Sequence, residues 1–533
     1  MMKPRIDKVI FSSAVTIITV LSVLLLADPE QGTKLFDSAL TFVTGRMGTI
    51  YLWGCAAAFG LLIWLAMGKY GNVKLGDADA KPEFSTASWI AMLFTAGIGS
   101  GLMYWGTIEW AWYYLYPPYQ IEPKSVEAAD WAATYGMFHW GFTAWAIYCL
   151  PALPIAYAMY VRKYKNVRLS TACAGVIGEK HSKGLIGKCI DVFFMFGIIG
   201  GVGTSLGLAT PLISQAISSM FGIEKSMTLD AVIIVAWTIL FGLSVYTGLK
   251  KGLKILSDIN AWLFLGVALF IFVVGPTAFI LSRFTDSFGL LLQNFARMSF
   301  YTDSVGGSGF SESWTIFYWA WWVAYAPFMG IFVARISKGR TIRELIAAEL
   351  IGGTFGCWLA FAVLGNTSMS LQLAFEKNPA TGVDIAGIME KSGEPAAIVA
   401  TLQALPGGFV LLGAFTIITL IFLATTLDSS AYTLADAASK DLEDGQEPAR
   451  WHRLFWALVL GGIAIVLMYG GGLKALQKLS VITSFPLIFV LAVSTVSFLR
   501  WIKEDHAKLE IQPLGKGANH ETEKTDHAKT RVG

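Results

Sequence analysis

Apolar residues run through the chain in long blocks, and about twelve of these reach the roughly 20 residues a helix needs to cross the hydrocarbon of a bilayer. They centre on residues 8–28, 49–68, 86–115, 133–160, 187–221, 229–248, 256–283, 312–337, 343–366, 407–436, 453–471 and 477–501, numbered here as spans 1 to 12. Several exceed the minimum, which predicts tilted or broken helices. Two shorter helical patterns, 286–298 and 393–404, flank long polar segments and are expected to lie at the membrane surface. The pattern predicts an all-α membrane protein with 12 transmembrane helices in one domain, residues 1–502. The segment 503–533 mixes Lys, Glu and His without apolar periodicity and is expected to be a disordered polar tail.

The polar segments carry a second pattern. Lys and Arg concentrate at the start of the chain (Lys3, Arg5, Lys8), at Lys69 to Lys81, Arg162 to Arg168, Lys250 to Lys254 and Arg335 to Arg343, and from Arg500 onward. The alternate segments are acidic or mixed, as at Glu122 to Asp130 and Glu376 to Glu394. This alternation predicts a multi-pass protein of the inner (cytoplasmic) membrane with both termini cytoplasmic.

Composition supports lipid as the main solvent: 55% of residues are hydrophobic, only 14% are charged, and there are 19 Trp and 35 Phe. A net charge of +3, with the cations spread over loops, offers no footprint for nucleic acid. Five cysteines stand without CxxC spacing, so neither a disulfide framework nor a metal site is expected, and no cofactor either. No nucleophile elbow or phosphate loop is present, which argues against an enzyme. The first apolar block follows a basic start but is too long for a cleaved signal and lacks a small-residue cleavage site, so it reads as span 1.

Polar groups and helix breakers inside spans are costly unless they face protein or water, so their positions point to function. Span 3 holds Thr95-Ala96-Gly97-Ile98-Gly99-Ser100-Gly101, with glycines at alternate positions. Such a run can unwind and offer backbone to a ligand, or pack closely against another helix. In span 8, Trp314, Tyr318, Trp321, Tyr325 and Phe328 fall in a stripe about 80° wide at helical spacing, with Trp322 at its edge. The stripe crosses the bilayer centre beside Pro327, a predicted break, and this favours a lined cavity over a lipid-facing surface. Span 4 adds Trp140, Trp145 and Tyr148 within an arc of about 140°. Rings of this kind can enclose a cation with no hydrogen to donate, each giving ~0.5 to 2 kcal/mol. A quaternary ammonium fits that description. Span 10 contains Thr425 and Thr426, whose hydroxyls can hold a hard cation or bond back to their own helix, and Asp428, a carboxylate that at this depth needs a partner or a structural role. Glu109 stands to brace span 3 or to bind, and His139 reads as a satisfied core histidine rather than a proton relay.

The run Trp314-Thr-Ile-Phe-Tyr-Trp-Ala-Trp-Trp, followed by Ala334-Arg-Ile-Ser-Lys-Gly-Arg-Thr-Ile-Arg, closely resembles the signature of the betaine/choline/carnitine transporter family, and the resemblance extends from span 1 to Arg500. It implies two inverted five-helix repeats, spans 3–7 and 8–12, behind two extra helices, and a homotrimeric assembly in membrane lipid. It also implies a substrate midway across the membrane. By motif, Trp140, Trp145, Tyr148 and Trp322 would form an ammonium box, with Trp321 and Tyr325 along the adjoining path and the glycine run Gly97, Gly99 and Gly101 opposite.

Choline carriers of the family tend to place Asp where this chain has Gly101, so the resemblance favours a zwitterion such as glycine betaine or carnitine. Sodium-coupled members build an oxygen site from a Phe-x-x-Thr-Ser run, matched here by Phe422, Thr425 and Thr426, with backbone from Thr95 and Ile98. Sodium-independent carnitine exchangers carry an Arg near position 260, where this chain has Asn260. Against that, the second sodium site is matched by Ile198 and Val202, and Met329 matches the exchangers, where it touches substrate. The expectation is secondary transport coupled to one sodium ion, with a sodium-independent carnitine/γ-butyrobetaine antiporter as the alternative.

Overall fold

The computed structural model describes residues 5–97, 99–164, 168–247, 250–440 and 446–511; within them the side chains of 29, 95–97, 247, 250–255, 257, 467–477 and 508–511 are left aside. The architecture is all-α, since a helix satisfies its backbone polar groups internally where no water is at hand. Helix starts carry local signals. Asp7 caps span 1 by accepting from the amide of Val9 at 3.2 Å. Thr341 and Glu344 form a reciprocal capping box at the head of span 9, with Thr341 N donating to Glu344 Oε2 at 2.7 Å.

Among the described residues, nine helices are long and apolar enough to cross a membrane, or eleven when two bent pairs each count as one span. The eleventh predicted run, 453–471, belongs with the twelfth to the long helical element Arg450–Ile511. As one rod, 62 residues would measure about 93 Å, three bilayer cores. Its two ends instead meet the same face: His452 approaches Ser439 at 3.5 Å, and Ser439 accepts from Arg168, while Arg162 near the other end pairs with Glu504 at 2.9 Å. Lys478 meets Asp37 at 2.5 Å on the opposite face. The element therefore contains spans 11 and 12, running in opposite directions.

Three boundaries differ from the sequence reading. Span 7 ends at Val274 rather than 283, because Gly275-Pro276 interrupts the helix and the chain turns by 108° into Thr277–Phe300, which absorbs the short pattern 286–298. The second short pattern is the helix Glu394–Gln403. The last helix continues past Lys503 to Ile511, held by Arg162 on Glu504 and Asp505; residues 512–533 lie outside the described residues. Pro327 does not break span 8, which stays helical from Phe317 to Ile336 after a π-helical opening, Ser311–Ile316.

The predicted basic segments gather on one face. Arg343 donates to Ala66 O at 2.6 Å, Lys163 pairs with Asp77 at 2.9 Å, Arg335 pairs with Asp436 at 2.7 Å, and the strand Arg5–Ile6 pairs antiparallel with Ser439–Lys440. The side chains of Lys250 to Lys254 fall outside the described residues. Burial then separates the spans by role. Val126–Tyr160 is 83% buried over its most apolar window and Ser311–Ile336 is 89% buried, against 17% for Lys8–Ala27. Spans 4 and 8 are the centre of the bundle, so their aromatic stripes face protein and not lipid.

Candidate functional site

Span 3 bends by 69° between Thr86–Phe94 and Gly99–Leu115. At that bend Ile98 lies outside the described residues, and the side chain of Thr95 and the surroundings of Gly97, named above with it for sodium or substrate, are left aside. Beyond it, Gly99 and Gly101 form one wall of an internal cavity. A Cβ built on Gly101 would sit 3.5 Å from Trp140 Cη2 and 3.6 Å from Trp321 Cη2, in ordinary contact with both rings. Any side chain there would project between two indoles; glycine keeps that wall open.

Span 4 breaks too, which its apolar run did not announce. The helix Val126–His139 stops, Trp140 and Gly141 leave helical geometry, and Phe142–Tyr160 resumes. The carbonyls freed by the break are taken by indoles: Trp358 Nε1 donates to Met137 O at 2.8 Å and Trp322 Nε1 to His139 O at 3.2 Å. The kink thus docks span 8 and span 9 onto span 4 and fixes the Trp322 ring.

The rings that line the cavity are Trp140, Tyr148, Trp321, Trp322 and Tyr325. Trp140 and Tyr148 both meet Trp322 edge to face, with centroids 4.9 and 5.1 Å apart. Trp321 stacks beside Trp322 at 5.5 Å, and Tyr325 lies 6.2 Å from Tyr148. Gly201 and Ser205 of span 5 close the remaining side. The sequence reading had not named them, although the small-residue run Gly200 to Ser205 was a visible sign of close approach. No Asp, Glu, Lys or Arg is among the lining residues.

Two residues expected at the substrate, Trp145 of the box and Met329, stand elsewhere. Trp145 is buried against span 9, where a Cβ on Gly353 would fall 2.1 Å from its ring, so its indole fills the glycine notch and is not among the lining residues. Met329 is fully buried and also absent from the lining. Helical spacing placed Trp145 on the arc of Trp140, but the break at Gly141 rotates the second half of span 4 relative to the first.

Behind the rings lies a polar network. Glu109, fully buried, accepts hydrogen bonds from Tyr113 Oη at 2.6 Å, Trp140 Nε1 at 2.9 Å and Tyr318 Oη at 2.5 Å. His139 completes it, with Nδ1 2.8 Å from Tyr113 Oη and Nε2 3.0 Å from Thr315 Oγ1. Both ring nitrogens are engaged, as for a satisfied core histidine. Glu109 does not line the cavity; it holds Trp140 from behind and joins spans 3, 4 and 8.

The hydroxyls of span 10 divide. Thr426 lines the cavity opposite Gly99, whose built Cβ would lie 3.2 Å from Thr426 Oγ1. Thr425 donates to the carbonyls of Ile421 and Phe422 in its own helix, at 3.1 and 3.0 Å, which leaves its lone pairs free to face a cation. Phe422 is buried beneath them. Asp428 finds its partner in Ser244 of span 6.

A bundle of apolar helices, long enough to span a membrane and bent around a cavity of aromatic rings, is the architecture of a membrane transporter. The family model for betaine/carnitine/choline transporters matches residues 9–507, and the chain belongs to that family. Its members are transporters and not enzymes. Among solved structures, a Na+-coupled sialic acid symporter in a substrate-bound outward-open state matches 86% of this chain and 96% of that chain, at 15% identity and a TM-score of 0.42.

Proposed function

We propose that the protein is a secondary active transporter that imports a quaternary-ammonium zwitterion, glycine betaine or carnitine in kind, with one sodium ion as the coupling ion. The observation that carries this is the cavity itself: five aromatic rings, three glycines and two hydroxyls, with no charged side chain among its described lining residues. A trimethylammonium group offers no hydrogen to donate and is attracted to ring faces by ~0.5 to 2 kcal/mol each. A zwitterion brings its own carboxylate, so the lining needs no counter-charge, and Gly101 supplies none. Thr426 and Thr425, beside the bend of span 3, support sodium at that corner.

The basic face that gathers Arg5, Arg162, Arg335 and Arg343 supports a cytoplasmic location for both termini in the cell inner membrane. We assign residues 1–502 to transport and the remainder to a polar tail, and we expect the homotrimer that the sequence resemblance implies. A second reading has its own observation. Ile198 and Val202 are fully buried aliphatic residues where a second sodium site would need oxygens, which favours a carnitine/γ-butyrobetaine antiporter.

Labelled glycine betaine and carnitine uptake into proteoliposomes separates the two. Symport requires accumulation in empty vesicles under an inward sodium gradient; antiport requires preloaded substrate and ignores sodium. Absence of uptake of any quaternary ammonium in both formats would remove the proposal.

A further inference from the structure

Span 9 contains a carboxylate that the cavity does not use. Glu349 is fully buried, and neither of its side-chain oxygens has a hydrogen-bond partner among the described residues. It lies in a π-helical stretch, Ala348–Gly353, of the kind that marks functional sites in helices. Its surroundings follow from the packing of span 9 on span 4. Gly353 abuts Trp145, Trp358 reaches Met137, and Phe361 meets Gly136, so the two spans run antiparallel in close contact. Continuing that register one turn brings Glu349 level with Tyr148 and Cys149, both within its electrostatic range. On its other flank, Gly352 and Gly356 rest on Ile90 and Phe94, the first half of broken span 3.

Among the described residues, the groups that face Glu349 offer it no cation. From span 4 they are Tyr148 and Cys149, and Thr86 to Phe94 of span 3 has no titratable side chain. The nearest arginine along its own element, Arg343, donates to Ala66 O at 2.6 Å, and Arg340, just before the element, is bound to Thr86 and Phe84 and stacked 4.4 Å over Trp89. An ionised carboxylate held dry without a donor or a counter-ion is strongly unfavourable. A carboxylic acid in the same place is tolerated, and it becomes a proton carrier if either flanking helix moves and admits water.

We propose that Glu349 is a proton-binding site that couples one proton to each turnover. The O–H bond of the acid breaks when the site meets water on one side of the membrane, the proton leaves to that water, and the carboxylate takes a proton back on the other side. The inference rests on the transporter reading for the cargo and goes beyond it in the driving ion. Tyr148 stands between Glu349 and the cavity, so protonation and occupancy of the box would be felt through one ring.

The test uses the full chain in proteoliposomes with sodium equal on both sides, so that no sodium gradient contributes. An acid-outside pH gradient should accelerate wild-type betaine or carnitine uptake several-fold, and Glu349→Gln should lose that acceleration while retaining counterflow of preloaded substrate. Glu349→Asp should restore it. A structural role alone would impair counterflow as well. Infrared spectroscopy of the protein in nanodiscs gives a readout independent of cargo: the carbonyl band of a protonated acid should vanish in Glu349→Gln. Uptake indifferent to the gradient, an equal acceleration in Glu349→Gln, or an unchanged acid band would each overturn the proposal. Loss of the band with no quaternary ammonium carried by either protein would leave the proton site standing and remove the cargo reading.

Discussion

Glu109 and Glu349 are the same residue type, both fully buried inside membrane spans, and their surroundings are opposite. Glu109 accepts from two tyrosines and an indole and is tied to His139 through Tyr113. Glu349 has no donor at all among the described residues. A carboxylate wired into three spans is a fixed strut: its value lies in the rings it orients, and moving it means breaking several hydrogen bonds at once. A carboxylate without donors has nothing to lose by changing its protonation state. The contrast assigns rigidity to the box side of the bundle and change to the span 9 side, although Tyr148 and Trp145 touch both.

The largest effect expected is from Glu109→Ala, which removes the acceptor of three buried donors and orphans Trp140 Nε1 and Tyr318 Oη at about 1 to 3 kcal/mol each, Tyr113 keeping His139. Thermal unfolding in detergent should show a drop of many degrees, with substrate binding gone. A variant as stable as wild type would dissolve the comparison at its first term. Glu349→Leu should do the reverse. Replacing an unsatisfied buried polar group by an apolar one of similar size is about neutral or stabilising; the melting temperature should hold or rise while any response to a pH gradient is lost.

Between these extremes lie changes in the cavity. Trp322→Leu removes the ring on which Trp140 and Tyr148 converge, and the loss of ~2 kcal/mol predicts about a thirtyfold weaker substrate affinity by tryptophan-fluorescence titration. Thr426→Val should raise the sodium concentration for half-maximal uptake by about tenfold, or ~1.4 kcal/mol, with little change in stability. The smallest and most selective change is Gly101→Asp. Its carboxylate would project between Trp140 and Trp321, and competition assays should show choline gaining on betaine; an unchanged ranking would mean that the zwitterion preference is set elsewhere.

Much of the cavity wall was legible from helical spacing, since Trp321, Trp322 and Tyr325 occupy neighbouring faces of one long helix. The glycine run marked the bend of span 3 for a similar reason, three residues without side chains in an apolar block. What spacing could not convey was the break at Trp140-Gly141, where a single glycine in an apolar run looks like any packing glycine. That break turned Trp145 away from the cavity and into the notch at Gly353. The partners of Glu109 come from positions up to 209 residues away, so only the fold could tell a strut from a ligand. Glu349 was passed over because one acid among Ala, Leu, Ile and Gly has no local pattern; its isolation is a property of the packing. Gly275-Pro276 was readable as a stop, and the span 7 boundary at 283 followed the apolar run too far.

Equilibrium binding of labelled glycine betaine and carnitine to purified wild type and Trp322→Leu tests the central claim most directly, because it needs neither a gradient nor a coupling ion. Saturable binding to the wild type, displaced less well by choline than by betaines and weakened about thirtyfold in a folded Trp322→Leu, is the predicted result. Equal affinity in the two proteins, or no saturable binding of any quaternary ammonium, would contradict the account.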